Sequence, residues 1–345
     1  MIKEQLSERE RSILAVTVKD YIQTAQPVAS NRVRNVYKFP ISAATIRNTM
    51  AALERAGYLI HPHTSAGKIP TDKGYRTYVN QLMVVEELNA KIVDQVRRSL
   101  DQISGDVDKL LRIVAHIISQ LSGAVGITIT PFNPRARLRL LRLIPVSYRR
   151  MLIVLELDGG SVRTVVAEGK RTVEEYQIAI LEEILNERLG GLILGEIQAT
   201  IGPRLEGTLA DDLGFTTLIV DHSSTLFDDR EQSEMYIYGL RQVLTGPEFV
   251  DQSNVVTLVS LLENEERLRE LLLGDRPEGY IHVTIGHEHE DEELETFATI
   301  SQSFHLGNSL GTLAVLAPKR VNYPLVFAVL EFMSHTVSKL IEDRA

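Results

Sequence analysis

Apolar positions at helical spacing open the chain. Ile13, Leu14, Val18, Tyr21 and Ile22 share one face after a Ser7-x-x-Glu10 capping-box pattern, which predicts a helix from about Glu8 to Thr24. Ala25-Gln26-Pro27 ends it, and a short second helix from about Ser30 to Val36 precedes a break at Phe39-Pro40. A third helix has Ser42 as N-cap, Gly57 as the residue past its end, and Ile46, Met50 and Leu53 as its buried stripe. At about 100° per residue its opposite face carries Ala44, Asn48, Ala51 and Arg55, with Thr45 and Arg47 on the flanks. Tyr58 to His61 and Lys68 to Pro70, either side of turn residues, predict a β-hairpin. Thr71 then caps a fourth helix bearing Tyr75, Arg76, Tyr78, Val79 and Leu82.

Glu86 to Leu121 is helical in pattern, broken at Ser104-Gly105, and its first part reads either as a connector that links the head or pairs subunits, or as a packed core helix. Gly123 to Thr130, Leu138 to Ile144, Met151 to Leu157 and Val162 to Ala167 predict an antiparallel meander. A helix over Thr172 to Leu189, a glycine-punctuated region to Leu209, a strand at Leu218 to Asp221, and helices over Glu231 to Leu244 and Ser253 to Leu273 follow. Strands at Tyr280 to Gly286, Phe297 to Phe304 and Leu313 to Leu316, and a closing helix from Tyr323 to Glu342, complete the chain. Strands before and after a long helical middle make an α+β domain interrupted by an insertion.

A chain of 345 residues, 44% of them hydrophobic, has length for two or three domains. It contains no run of 18 apolar residues, and MIKEQLSERER lacks the apolar segment of a signal peptide, so a cytoplasmic protein with no membrane partner is expected. The absence of cysteine excludes disulfides, thiolate metal sites and a cysteine nucleophile. The net charge of −9 argues against nucleic acid only if it is spread evenly. It is not: the first 80 residues hold 12 basic and 6 acidic side chains, and the other 265 hold 25 and 40. Neutralising phosphates needs only local positive charge, so a basic head on an acidic body suits DNA binding.

The outward face of the third helix has the chemistry of a groove reader. Ala44 and Ala51 let the helix axis approach base edges, Asn48 can bond adenine on two sides, and Ser42, Thr45, Arg47 and Arg55 can reach phosphates or bases. Small residues on an exposed helix face are also common for propensity reasons alone. The hairpin would act as a wing, its tip placing Thr64, Ser65 and Lys68 beside the sugar-phosphate backbone, and Arg76 joins the candidate DNA contacts.

Other clusters carry less. His61 and His63 lack a third ligand and read as turn filling or phosphate contact. His287, Glu288, His289, Glu290, Asp291, Glu292 and Glu293 read as a divalent-metal run or, better, as a solvated loop. Arg135, Arg137, Arg139, Arg142, Arg149 and Arg150 offer a second nucleic-acid surface or, better, pair with carboxylates across a half-exposed sheet. Neither a phosphate-cradling glycine motif nor a G-x-S-x-G elbow or H-E-x-x-H helix occurs, so no catalytic residue, cofactor or metal is assigned.

SAATIRNTMAALERAGYL from Ser42, HPHTSAGKIPTDKGYRTYV from His61 and PVAS from Pro27 resemble the N-terminal signature of the bacterial HrcA family of heat-inducible transcription repressors. GTLAVLAPKRVNYPLVFAVLEFMSHTVSKLI from Gly311 is similar to the same family's C-terminus. Family members commonly carry Arg at the position of Lys68. Three short helices, the third bearing small and polar residues outward, and the hairpin after them make a winged helix-turn-helix head over 1–85, followed by a linker helix over 86–105. The resemblance implies a GAF-like trunk over 106–185 and 275–345 with an inserted dimerising domain over 186–274. It also implies a homodimer on an inverted-repeat double-stranded DNA operator of chaperonin and related heat-shock operons, released on heating, with the GroEL chaperonin as the partner that keeps the repressor active. The alternative is a ligand-sensing GAF-type regulator with a different operator.

Overall fold

The computed structural model describes residues 6–62, 67–101, 103, 107–132, 136–147, 150–158, 162–168, 174–212, 214–227, 234–273, 279–306 and 309–342. They form two compact units, one of 1–129, 235–304 and 312–345, the other of 130–234 and 305–311.

The first unit begins with α1 (Glu8–Thr24), α2 (Ser30–Val36) and α3 (Ala43–Arg55). The Ser7–Glu10 capping box forms, with the Ser7 amide donating to Glu10 Oε2 at 2.9 Å, and Ala25 in the left-handed region at φ 55° stops α1. Ser42 Oγ accepts the Thr45 amide at 3.1 Å to start α3, and Gly57 at φ 79° ends it. Ile13, Leu14, Val18, Val33, Ile46, Leu53 and Leu59 are fully buried, each worth about 1.5–3 kcal/mol of transfer free energy. Two short strands, β1 (Leu59–Ile60) and β2 (Ile69–Pro70), pair antiparallel, Leu59 opposite Pro70. Val28 joins their edge by exchanging backbone hydrogen bonds with Lys68 at 2.9 and 3.0 Å. Gly67 is required there, because a Cβ would lie 2.4 Å from the Val28 carbonyl carbon. Then come α4 (Asp72–Thr77), capped by Thr71, and a π-helical turn over Tyr78–Leu82.

Beyond it run α5 (Ala90–Asp101), α6 (Val107–Ser122) and β3 (Val125–Phe132). The second unit holds β4 (Leu138–Pro145), β5 (Arg150–Leu157), β6 (Val162–Glu168), α7 (Glu175–Leu189), α8 (Leu194–Leu205), α9 (Leu209–Asp212), α10 (Phe215–Asp221) and α11 (Ser223–Phe227). The chain then returns through β7 (Met235–Tyr238), α12 (Leu240–Val243), α13 (Gln252–Glu263), α14 (Glu265–Leu273), β8 (His282–Ile285), β9 (Phe297–Leu306), β10 (Ser309–Pro318) and α15 (Tyr323–Glu342).

The body of the first unit is a five-stranded sheet of order β7-β3-β10-β9-β8. Val125, Ile127, Ile129, Ala314 and Leu316 pack on one side against Leu258, Leu261, Leu268 and Leu272 of α13 and α14. On the other side Thr128 Oγ1 donates to the Leu111 carbonyl of α6 at 3.0 Å, and α15 lies against α6. The second unit is the three-stranded sheet β4-β5-β6, whose inner residues Leu141, Ile153 and Val165 share a core with Leu181, Leu185, Ile197, Ile201 and Phe215.

Several sequence expectations need correction. The strand expected at Leu218 to Asp221 is helix α10, because its apolar residues pack into a helical core rather than onto a sheet. The helix expected over Glu231 to Leu244 is strand β7, paired with β3, followed by the single-turn α12. Alternation in Met235-Tyr236-Ile237-Tyr238 wins there, and Gly239 at φ 99° turns the chain where a Cβ would meet Ser119 Oγ at 1.9 Å. Residues 86–89 have no regular secondary structure, and α5 buries Val96 and Leu100 as a core helix does. Residues 130–234 fall in one compact unit, in which β4-β5-β6 shares its core with α7 to α11, whereas the expected boundary lay at 186. Residues 1–85 belong to the same compact unit as the five-stranded sheet.

Candidate nucleic-acid interface

Helix α3 is held from below by Ile46, Met50 and Leu53, all buried, and Thr49 Oγ1 donates back to the Thr45 carbonyl at 3.1 Å. Its outer face presents Ser42, Ala44, Arg47, Asn48 and Arg55 to solvent, with Thr45 and Ala51 half-buried. The helical period therefore delivers the expected set on one surface. A groove of about 900 Å³ borders that surface, lined by Thr45, Asn48 and Ala52, the Phe39–Ile41 turn and the first turn of α1. The rigid helix with small and amide side chains beside a groove can approach a duplex edge.

Two expected contacts are placed elsewhere. Lys68 is only 6% exposed and its Nζ donates to Glu54 Oε2 of α3 at 2.5 Å, which ties the hairpin to the helix instead of facing a phosphate. The Lys68 hydrogen bond holds the Glu54 carboxyl below the ordinary carboxylate range. Lys68→Ala should accordingly lower head stability by about 1–2 kcal/mol, below the cost of breaking a fully buried pair because Glu54 is partly solvated. Thermal unfolding reads that loss, while the salt dependence of DNA binding should stay as in the parent chain.

Arg76 is likewise engaged within the protein. Its Nε donates to Glu288 Oε1 at 2.7 Å and its Nη2 to the Val283 carbonyl at 2.6 Å, both in the sheet body. Thr64 and Ser65, expected at the hairpin tip, lie outside the described residues, as does His63. His61 Nδ1 is 3.2 Å from the Gly67 carbonyl oxygen, a turn-filling role.

Sequence reading missed the groups that brace the head. Asp20, 1% exposed, accepts Arg32 Nε at 2.6 Å and the Tyr37 hydroxyl at 3.3 Å, joining α2 to α1. Nothing in the apolar period of α1 marks Asp20 as buried. Lys73 Nζ donates to the Ala56 carbonyl at 2.7 Å and sits 4.2 Å from the Tyr58 ring centre, which fixes the end of α3. In the second unit Arg139 pairs with Glu156 at 2.8 Å, and Arg137 Nη1 donates to the Gly191 carbonyl at 2.7 Å. Arg142 and Arg150 are exposed, and Arg135 and Arg149 lie outside the described residues.

The description of the HrcA protein C-terminal domain matches residues 108–327. A heat-inducible transcription repressor HrcA of Chlorobium phaeobacteroides is 34% identical over 352 aligned positions, covering 98% of this chain and 99% of that one. The chain belongs to the HrcA family. A second HrcA, from Pelotomaculum thermopropionicum, is 30% identical over 98% of this chain and 97% of its own length. A crystal structure described as a hypothetical protein shares the fold over 99% of this chain and all of its own, with 25% identity and a TM-score of 0.58. Membership in HrcA makes the chain a transcription repressor. Among the described residues no helix is long and apolar enough to cross a membrane.

Proposed function

We propose that the chain represses heat-shock operons as a homodimer whose two heads bind the half-sites of an inverted-repeat operator. The carrying observation is the exposed row of Ala44, Arg47, Asn48 and Arg55 on a capped, well-packed α3. In this reading the head is a winged helix-turn-helix: α3 enters the major groove, the β1–β2 hairpin is its wing, and Ser42, Thr45, Arg47 and Arg55 hold phosphates while Asn48 reads a base. Lys68 and Arg76 act from within, the first bracing the wing and the second bracing the head. The five-stranded body is read as GAF-like.

The outer face of the three-stranded sheet supports pairing. Cross-strand rows place Leu140, Glu156 and Val162 together, then Arg142, Val154 and Thr164, then Ile144, Leu152 and Val166. Ile144, Val162 and Val166 are 48%, 60% and 46% exposed, an apolar surface that a second copy can cover about a twofold axis. The β4 edge is already closed by side chains, since the Leu141 amide donates to Asn186 Oδ1 at 2.7 Å and the Leu143 amide to Glu182 Oε1 at 2.6 Å. Pairing is therefore read as face to face across these rows rather than along the β4 edge.

The family resemblance supplies the operons, release on heating and the GroEL chaperonin as the partner that restores the active fold. A marginally stable dimer suits that role, because a small loss of folding free energy strongly changes the active fraction. The chain has no cysteine, so a single introduced thiol reports one site. Operator duplex should slow alkylation of Ala44→Cys on α3 and leave Ser260→Cys on α13 unchanged. Equal rates at Ala44→Cys with and without duplex would remove α3 from the interface.

A further inference from the structure

The acidic and histidine-rich run near residue 290, read from the sequence as a solvated loop, forms the seat of the head. His289 is buried, its Nδ1 2.8 Å from the Gly286 carbonyl oxygen and its Nε2 3.3 Å from Thr299 Oγ1, which fixes the 286–288 turn on β9. Asp72, the first residue of α4, meets that turn. Its Oδ2 accepts the His287 amide at 3.0 Å and lies 2.7 Å from His287 Nδ1, while its Oδ1 accepts Lys319 Nζ at 2.6 Å. Gly286 permits the approach, because a Cβ there would sit 2.3 Å from Asp72 Oδ2. Burial alone would raise the Asp72 carboxyl, yet Lys319 and His287 hold it below the ordinary range.

One turn along α4, Arg76 grips Glu288 and the Val283 carbonyl, and the buried rings of Tyr75 and Tyr323 lie 6.0 Å apart. At the end of α1, Arg320 Nη1 donates to the Ile22 carbonyl at 2.5 Å while its Nε donates to Glu248 Oε1 at 2.5 Å. Every one of these head groups lies on α4 or at the end of α1, whereas the outward row of α3 faces solvent.

We propose that Asp72 and Arg76 are positioning residues: they lock the head at one angle on its sheet body and thereby set the spacing of the two α3 helices in the paired repressor. The lock rests on the two-headed reading above. It predicts a split between two duplexes. A single half-site needs only a folded head, whereas an inverted repeat needs both heads held at the right separation.

The test measures full-length chain on both duplexes. Arg76→Glu and Glu288→Arg should each lower affinity for the inverted repeat at least about tenfold while leaving half-site affinity within about twofold of the parent. The Arg76→Glu, Glu288→Arg double variant should recover part of the loss by restoring an opposite-charge pair. Parent-like binding of both duplexes by the single variants, an equal loss on half-site and repeat, or no recovery in the double variant would each overturn the lock. A parent chain that binds the repeat no better than one half-site would overturn the two-headed reading instead.

Discussion

Replacing Leu152 with glutamate should leave a folded chain that no longer pairs. Leu152 is half-buried on the middle strand of the outer sheet face, between Ile144 on β4 and Val166 on β6. In a single copy a carboxylate there reaches solvent and costs little. In a face-to-face dimer two such carboxylates, one from each copy, would be buried without partners, at several kcal/mol each. Loss of pairing also removes the gain from binding two linked half-sites, roughly 10²–10⁴-fold. Sedimentation should show a monomer, and affinity for the inverted repeat should fall to that for one half-site. A variant that sediments and binds as the parent does would place the dimer surface elsewhere.

Replacing Asn48 with alanine should cost about 1–3 kcal/mol of discrimination at one base pair. Asn48 is exposed on a helix anchored by Ile46 and Leu53, and alanine is the better helix former, so thermal stability should hold or rise. Arg47→Ala and Arg55→Ala should instead weaken all duplexes alike and each reduce the salt slope by about one. Affinities measured on operator and on duplexes with single base-pair changes separate these roles. An Asn48→Ala chain that loses as much on scrambled DNA as on operator would make Asn48 a backbone contact.

The head was the most legible part of the chain because local chemistry decides it. Ser7 with Glu10, Ser42 and Thr71 cap the helices that their side chains announce, and the 3.6-residue period sorts α3 into a buried stripe and an outward row. What the period cannot carry is tertiary pairing. Lys68 reads as an exposed cation on a wing, yet Glu54, 14 positions away, draws it inward. Arg76 reads as a DNA contact, yet its partner Glu288 is 212 positions away. The same limit explains α10, where Leu218 and Ile219 have strand-forming neighbours but a helical core around them. It also explains the division of the expected meander: its four segments are strands, but β3 joins the five-stranded sheet while β4-β5-β6 joins the second unit's core, and that choice is a long-range fact.

The central claim is that an exposed α3 face reads duplex DNA from a basic head on an acidic chain. Fluorescence anisotropy of the full-length protein on a labelled inverted-repeat operator and on a scrambled duplex, over a series of salt concentrations, tests it most directly. Binding to the operator should be tighter at every salt concentration, and log affinity should fall linearly with log salt on both duplexes. Equal affinity for the two duplexes, or binding indifferent to salt, would contradict it.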